Sequence, residues 1–143
     1  RNSILSCKNG DIVLGNRANV GFNCEVFSSS LVDVGEDVLL SAYTYVVGGG
    51  NYDIDQLSVP INQSVREDRA RGIRIGSDVW IGTHSVLLDG VTIGRGATTA
   101  AGSIVNADIP EMSVAAGLPA RVLRQRREAS DTEAATSEPG GGT

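Results

Sequence analysis

A six-residue beat over residues 75–105 restricts the fold more than any other feature of this chain. Ile75, Ile81, Leu87, Ile93 and Val105 recur one every six residues, with Thr99 in the remaining slot. Gly76, Gly82, Gly94 and Ala100 each follow one of these positions directly. Four positions after each stands a small or β-branched residue: Val79, Ser85, Val91, Ala97, Ser103 and Ile109. A period of six fits neither an α-helix at 3.6 nor a lone strand at 2. Hexapeptide periodicity instead predicts a parallel β-helix, in which three hexads complete one coil. Within a hexad two inward residues flank an outward one, as in Val79-Trp80-Ile81. The glycines after the aliphatics are expected to turn the corners, where positive φ costs glycine nothing. Side chains eighteen residues apart should then stack about 4.8 Å from one another.

Composition agrees with a narrow aliphatic solenoid. The 143 residues predict one domain, and two Phe, three Tyr and one Trp are too few for an ordinary aromatic core. A net charge of −5 argues against a nucleic-acid partner. Cys7 and Cys24 lack metal or redox spacing, and Cys24 falls on an inward position as a buried thiol. No run of eighteen apolar residues and no signal peptide is visible, so a cytoplasmic protein with no membrane partner is expected.

Residues 1–13 are weakly patterned and fit either a first coil or a cap. Hexads run from Leu14, shift phase by two residues near Leu31 and Val32, and continue to Val46. After Gly48-Gly49-Gly50 the polar stretch 51–72 breaks the pattern, and hexads restart at Ile73. This predicts a loop thrown out of one corner, with the coil re-entered in phase. A strand, a turn and a short C-terminal helix are expected between Val114 and Leu123. The boundaries that follow are a β-helix domain over residues 1–127 and a disordered tail over 128–143.

Carrying the register across the loop sorts the outward residues onto three faces. Leu39, Trp80 and Thr98 share one, Tyr45, Val86 and Ile104 a second, and Asp33, Arg74 and Thr92 a third. Asp33 over Arg74 offers a weak exposed pair. The Val86 face is apolar on every coil by this reading. Either the C-terminal segment folds over it, or copies of the chain bury it against one another. A prism with one apolar side favours a homotrimer.

The segments GIRIGSDVWIGTHSVLLDGVTIGRGATTAAGSIV and AAGLPARVLRQR resemble the C-terminal half of the hexapeptide-repeat acyltransferases. These include the xenobiotic, maltose-type and exopolysaccharide O-acetyltransferases, and the likeness spans roughly residues 12–127. The resemblance implies an all-β, left-handed parallel β-helix, assembly as trimers, and acetyl-coenzyme A lying between subunits, with no metal. It implies that the Gly82, Thr83 and Ala100-Ala101-Gly102 corner contacts the pantetheine arm. It places Pro119, Ala120 and Arg121 near the adenine and its phosphates, with Arg124 behind them. Arg121 has the fork geometry for phosphate, though an Arg-rich solvated helix face is the competing account, and the one preferred for Arg126 and Arg127. Trp80 lines the groove or covers the outside of its face.

In that family a base deprotonates the acceptor, which attacks the thioester carbonyl while backbone N–H groups steady the oxyanion. The base of the xenobiotic group is a histidine at the start of the loop, after an Asn. Here the segment reads Asn51-Tyr52-Asp53, so Tyr52 stands where His is expected. A phenol is too weak an acid, and a carboxylate too weak a base, for ready proton exchange at neutral pH. The one histidine, His84, falls on the corner that would face a neighbour's loop. It is the candidate base across the interface, with Tyr52 or Asp53 of the adjacent chain orienting it; a surface turn residue is the alternative. The expected function is acetyl-CoA-dependent O-acetylation of a sugar or another small hydroxylated acceptor. The alternative is a catalytically inactive trimeric scaffold or binding protein. A γ-type carbonic anhydrase needs three zinc-binding His from two chains, which one His per chain does not supply. A nucleotidyltransferase needs a further domain for which 143 residues leave no room.

Overall fold

The computed structural model describes residues 1–128, and the tail expected to be disordered lies outside them from residue 129 on. The chain climbs through short strands that visit three faces in turn. The first coil is β1 (Ile4–Cys7), β2 (Asp11–Leu14) and β3 (Asn19–Val20), so residues 1–13 belong to a coil. The second is β4 (Glu25–Ser28), β5 (Leu31–Val34) and β6 (Leu39–Leu40). The third is β7 (Tyr45–Gly48), β8 (Ile73–Ile75) and β9 (Trp80–Ile81), interrupted by the loop. The fourth is β10 (Val86–Leu88), β11 (Thr92–Ile93) and β12 (Thr98–Thr99). A partial coil follows, with β13 (Ile104–Val105), a bridge from Ile109 to Ile93, and β14 (Ser113–Gly117) on β12. Every strand pair through β14 is parallel.

The face assignment from sequence holds. Tyr45 lies beside Val86 and Val86 beside Ile104. Leu39 lies beside Trp80 and Trp80 beside Thr98; Asp33 lies beside Arg74 and Arg74 beside Thr92. The loop therefore leaves and re-enters without costing a register step. The extra residues near Leu31 lengthen the early coils: Val26 pairs with Val46, twenty on, whereas Leu87 pairs with Val105, eighteen on. The Val86 face is not apolar throughout, because Glu25 is the neighbour of Tyr45 on the coil below. Partial burial, and secondarily Glu25, raises the Tyr45 phenol above its ordinary pKa. Among the described residues Asp33 and Arg74 do not close into an ion pair.

Inside, Val26, Leu40, Val46, Ile73, Ile81, Leu87, Ile93 and Val105 are fully buried. Cys24 joins them, its thiol donating to the Ser41 carbonyl at 3.1 Å. Small hydroxyl residues, Thr44, Ser85 and Ser103, are buried on successive coils at one inner corner of the prism. Ser103 Oγ donates to the Ala100 carbonyl at 2.7 Å and Ser85 Oγ to the same oxygen at 3.3 Å. No buried side-chain polar atom among the described residues lacks a partner, so these hydroxyls enter the core without a desolvation penalty left standing.

Two expectations are overturned. The corner glycines are not the positive-φ residues. That conformation falls two positions later, at Asn23, Tyr43, Asp78, His84 and Gly102 among others. Glycine follows the aliphatic because coils touch there: a Cβ on Gly82 would stand 2.5 Å from the Ala101 nitrogen. The C-terminal helix is also absent. β15 (Ala120–Gln125) turns back antiparallel onto β14, pairing Gly117 with Ala120 and Ser113 with Gln125. The last rung presents an unpaired strand edge, and satisfying it with a strand outweighs the helical preference of Leu, Arg and Gln. The segment therefore caps the Trp80 face and leaves the Val86 face uncovered.

Candidate active site

The outward column Leu39, Trp80, Thr98 and Val114 forms the floor of an open groove of about 790 Å3. One bank is the corner made by Ser41, Gly82, Thr83, Ala100 and Ala101, whose short side chains leave the backbone accessible. The other carries Asp37 and Asp78, and Arg124, Arg126 and Arg127 enter from the hairpin end. Trp80 is half exposed, and its indole Nε1 donates to Ser41 Oγ at 2.9 Å, which holds the ring along the floor. Arg126 donates to the Gly96 carbonyl at 2.9 Å and to Asp78 at 3.2 Å, so it belongs to the groove wall and not to a solvated helix face.

Of the candidate cofactor contacts, Gly82, Thr83, Ala100, Ala101 and Arg124 line this groove. Gly102, Pro119, Ala120 and Arg121 lie outside it. Ala120 is buried at the hairpin turn, and Arg121 hydrogen-bonds its carbonyl. Arg124 pairs with Val114 and so shares the outward face with the floor, whereas Arg121 pairs with Ala116, nearer the turn. Trp80 takes the first of the two places the sequence leaves open, lining the groove, and Ser41 and Arg126 join it there. Ser41 is legible in the sequence, since it fills a small-residue slot one coil below Gly82; Arg126 is not, because its place depends on β15 being a strand.

His84 takes the left-handed turn position of its corner, with φ 58°. Its ring stacks on Tyr43 of the coil below, centroids 4.8 Å apart and planes within 10°. On the coil above stands Gly102, whose amide donates to the Thr83 carbonyl at 2.8 Å and which adds no side chain over the imidazole. The hydrogen bonds fix the tautomer. Thr83 Oγ1 has one proton and donates it to the Ala42 carbonyl at 2.6 Å. It can then only accept from His84 Nδ1, 3.1 Å away, so in the neutral imidazole Nδ1 carries the hydrogen and Nε2 is the acceptor. That is the form a general base requires.

The loop candidates sit elsewhere. Tyr52 bridges Val65 across the neck of the loop and is exposed. Asp53 Oδ2 meets Arg66 at 3.3 Å and Arg69 at 3.6 Å, while Oδ1 accepts from the Asp55 amide at 3.3 Å. This carboxylate is occupied in shaping the loop. Arg66 also holds Asp68, whose carboxyl it keeps below the ordinary carboxylate pKa. His84 stands at one end of the Val86 face and the loop leaves from the other. Four residues of β7 separate the two corners, roughly 13 Å at strand spacing. One chain does not bring His84 together with Tyr52 and Asp53. The loop also exposes Ile54, Leu57, Val59 and Ile61, with Leu57 at 92%. Among the described residues no helix is long and apolar enough to cross a membrane.

Comparison with known proteins places these features in context. Residues 72–107 match the family model described as bacterial transferase hexapeptide (six repeats). Galactoside O-acetyltransferase of Escherichia coli K12 is 35% identical over 118 residues, covering 80% of this chain and 54% of that protein. A solved galactoside acetyltransferase in complex with coenzyme A superposes with TM-score 0.73 at 32% identity, over 89% of this chain and 62% of the other. A hexapeptide-repeat acetyltransferase of Vibrio cholerae, solved with acetyl-coenzyme A, gives TM-score 0.72 at 29% identity, over 88% and 69%. The chain thus spans about half the length of the first of these relatives.

Proposed function

We propose that the chain is a hexapeptide-repeat acyltransferase, folded as a left-handed parallel β-helix like the relatives it matches, and that it transfers an acetyl group from acetyl-coenzyme A to a hydroxyl of a sugar-like acceptor. The observation that carries this reading is the groove on the Trp80 face. Its small-residue bank admits an extended chain, its floor is apolar, and its hairpin end offers the Arg124 and Arg127 guanidiniums to phosphate. Those are the parts of a coenzyme A thioester in order. The relatives solved with coenzyme A and acetyl-coenzyme A support the same donor.

His84 serves as the general base. Its Nε2 takes the acceptor hydroxyl proton as the oxygen attacks the thioester carbonyl, and the imidazolium returns that proton to the departing thiolate as the C–S bond breaks. Three copies pack through the Val86 face, which brings the loop of one beside the His84 corner of the next. Tyr52 or Asp53 of that loop then orients the acceptor or the imidazole. Acetyl-CoA incubated with galactosides, maltose and related sugars should release free thiol in step with acetyl-sugar. Coenzyme A alone should bind in the micromolar range by calorimetry.

One observation favours a second reading. The loop presents Asn51-Tyr52-Asp53 with no histidine, and its carboxylate is engaged by two arginines. A trimeric scaffold without chemistry would have such a loop. Absence of coenzyme A binding at millimolar ligand would select it.

A further inference from the structure

The loop is an excursion of some twenty residues held at its neck by one carboxylate on a different coil. Asp89 directly follows β10, at the corner where the loop would be if the fourth coil also threw one out. Its Oδ1 accepts the Gly72 amide at 2.8 Å and its Oδ2 the Arg71 amide at 2.9 Å. The same Oδ2 accepts Asn51 Nδ2 at 3.3 Å. The Gly90 amide adds a backbone bond to the Gly72 carbonyl at 2.8 Å. The residue that leaves the solenoid and the two that return to it thus converge on a single side chain.

What Asn51 does next makes this more than a loop tie. Its carbonyl accepts the Arg66 amide at 2.7 Å, Tyr52 bridges Val65, and the Asp53 amide donates to the Ser64 carbonyl at 2.9 Å. Residues 51–53 therefore form a short antiparallel ladder with 64–66, and Asp89 holds its foot. Farther along the loop Asp53 joins the same two arms through Arg66 and Arg69. Among the described residues, though, Asp89 is the side chain hydrogen-bonded to both Asn51 and the returning Arg71 and Gly72.

We infer that Asp89 is the positioning residue for this enzyme: its carboxylate sets the angle at which the Asn51-Tyr52-Asp53 segment leaves the solenoid, and through it the approach of that segment to the acceptor at the neighbouring His84. The inference rests on the acetyltransferase reading for its functional half and on the hydrogen bonds alone for its structural half. Only an acceptor of three donors fits the role. In Asp89→Asn the amide nitrogen faces a backbone N–H, and one of the neck bonds becomes a donor against a donor. Asp89→Glu keeps both oxygens on a longer stem.

Amide hydrogen exchange on the full chain reads the structural half. Asp89→Asn should speed exchange at Arg66, Arg71 and Gly72 at least tenfold and leave Leu87 and Ile93 unchanged; equal protection in variant and wild type overturns the clamp. Kinetics with acetyl-CoA and a simple β-galactoside read the functional half. The kcat should fall about tenfold and the acceptor KM rise, with the Kd of coenzyme A held within twofold, and Asp89→Glu should recover part of the loss. A parallel loss of coenzyme A affinity, or an unaltered kcat beside a loosened loop, overturns the positioning role. If the wild type transfers acetyl to no sugar, the function reading fails first, and the exchange result still decides whether Asp89 holds the loop.

Discussion

The two corners that bound the Val86 face solve the same turn in opposite ways. At the His84 corner the coils lie directly on one another, and the turn amides bond to the rung beneath: His84 to the Ala42 carbonyl at 3.2 Å, Gly102 to that of Thr83 at 2.8 Å. At the loop corner the chain departs for residues 51–72 and is held by side chains: Asp89, Asn51, and the Lys8–Glu67 pair at 2.9 Å. The first corner is a continuation of the core and cannot yield without the core yielding. The second is fastened mainly by side chains at the surface, with the Gly90 amide to the Gly72 carbonyl as its backbone bond to the coil. The groove lies beside the first corner and the loop at the second, which is where the proposed function puts donor and acceptor.

Gly82→Val strikes the rigid corner hardest. The added atoms would meet the Ala101 backbone, so destabilisation of about 3 kcal/mol or more is expected, with loss of coenzyme A binding; a melting curve and a titration check it. Leu87→Ala, a fully buried residue on the strand between the corners, should cost about 2–5 kcal/mol by denaturant unfolding. His84→Asn separates chemistry from fold. Asn23 already occupies the equivalent left-handed position two coils below, so the melting temperature should hold while kcat falls about a hundredfold or more. Asp53→Asn should lower kcat less than tenfold; a loss as large as that of His84→Asn would move the base to the loop.

The smallest effect tests the fastening by pH. The hydrogen bond from Lys8 holds the Glu67 carboxyl below its ordinary 4.5, and Glu67 holds the Lys8 ammonium above its ordinary 10.5. The first contribution is present above pH 4.5 and fades as pH falls through the depressed value; the second is present below 10.5 and fades as pH rises through the raised one. Proteolytic nicking between Arg66 and Arg69 should therefore be flat across neutral pH and rise toward both extremes, and 1 M salt should mimic the rise.

The solenoid could be read from the letters because its signal is repeated. Each of Ile75, Ile81, Leu87 and Ile93 votes for the same register, and the outward columns follow by counting. The C-terminal hairpin has no such redundancy. Ala120–Gln125 carries helix-favouring residues, and only the open edge of β14 makes it a strand. The candidate groove is half legible: small residues at Gly82 and Ala100 mark a bank, and a lone histidine attracts notice. Ser41, Arg126 and Asp89 act through partners 39, 48 and 17–38 residues away in the chain, and no local spacing announces such pairs.

The left-handed turn positions carry one more implication. Asn23, Tyr43, His84 and Gly102 adopt nearly the same backbone angle on successive rungs, because the bonds that shape the turn belong to the main chain. An amide, a phenol, an imidazole and a bare hydrogen are interchangeable there as far as folding is concerned. Selection can therefore install or withdraw a reactive group on that post by a single codon, leaving the architecture around it untouched.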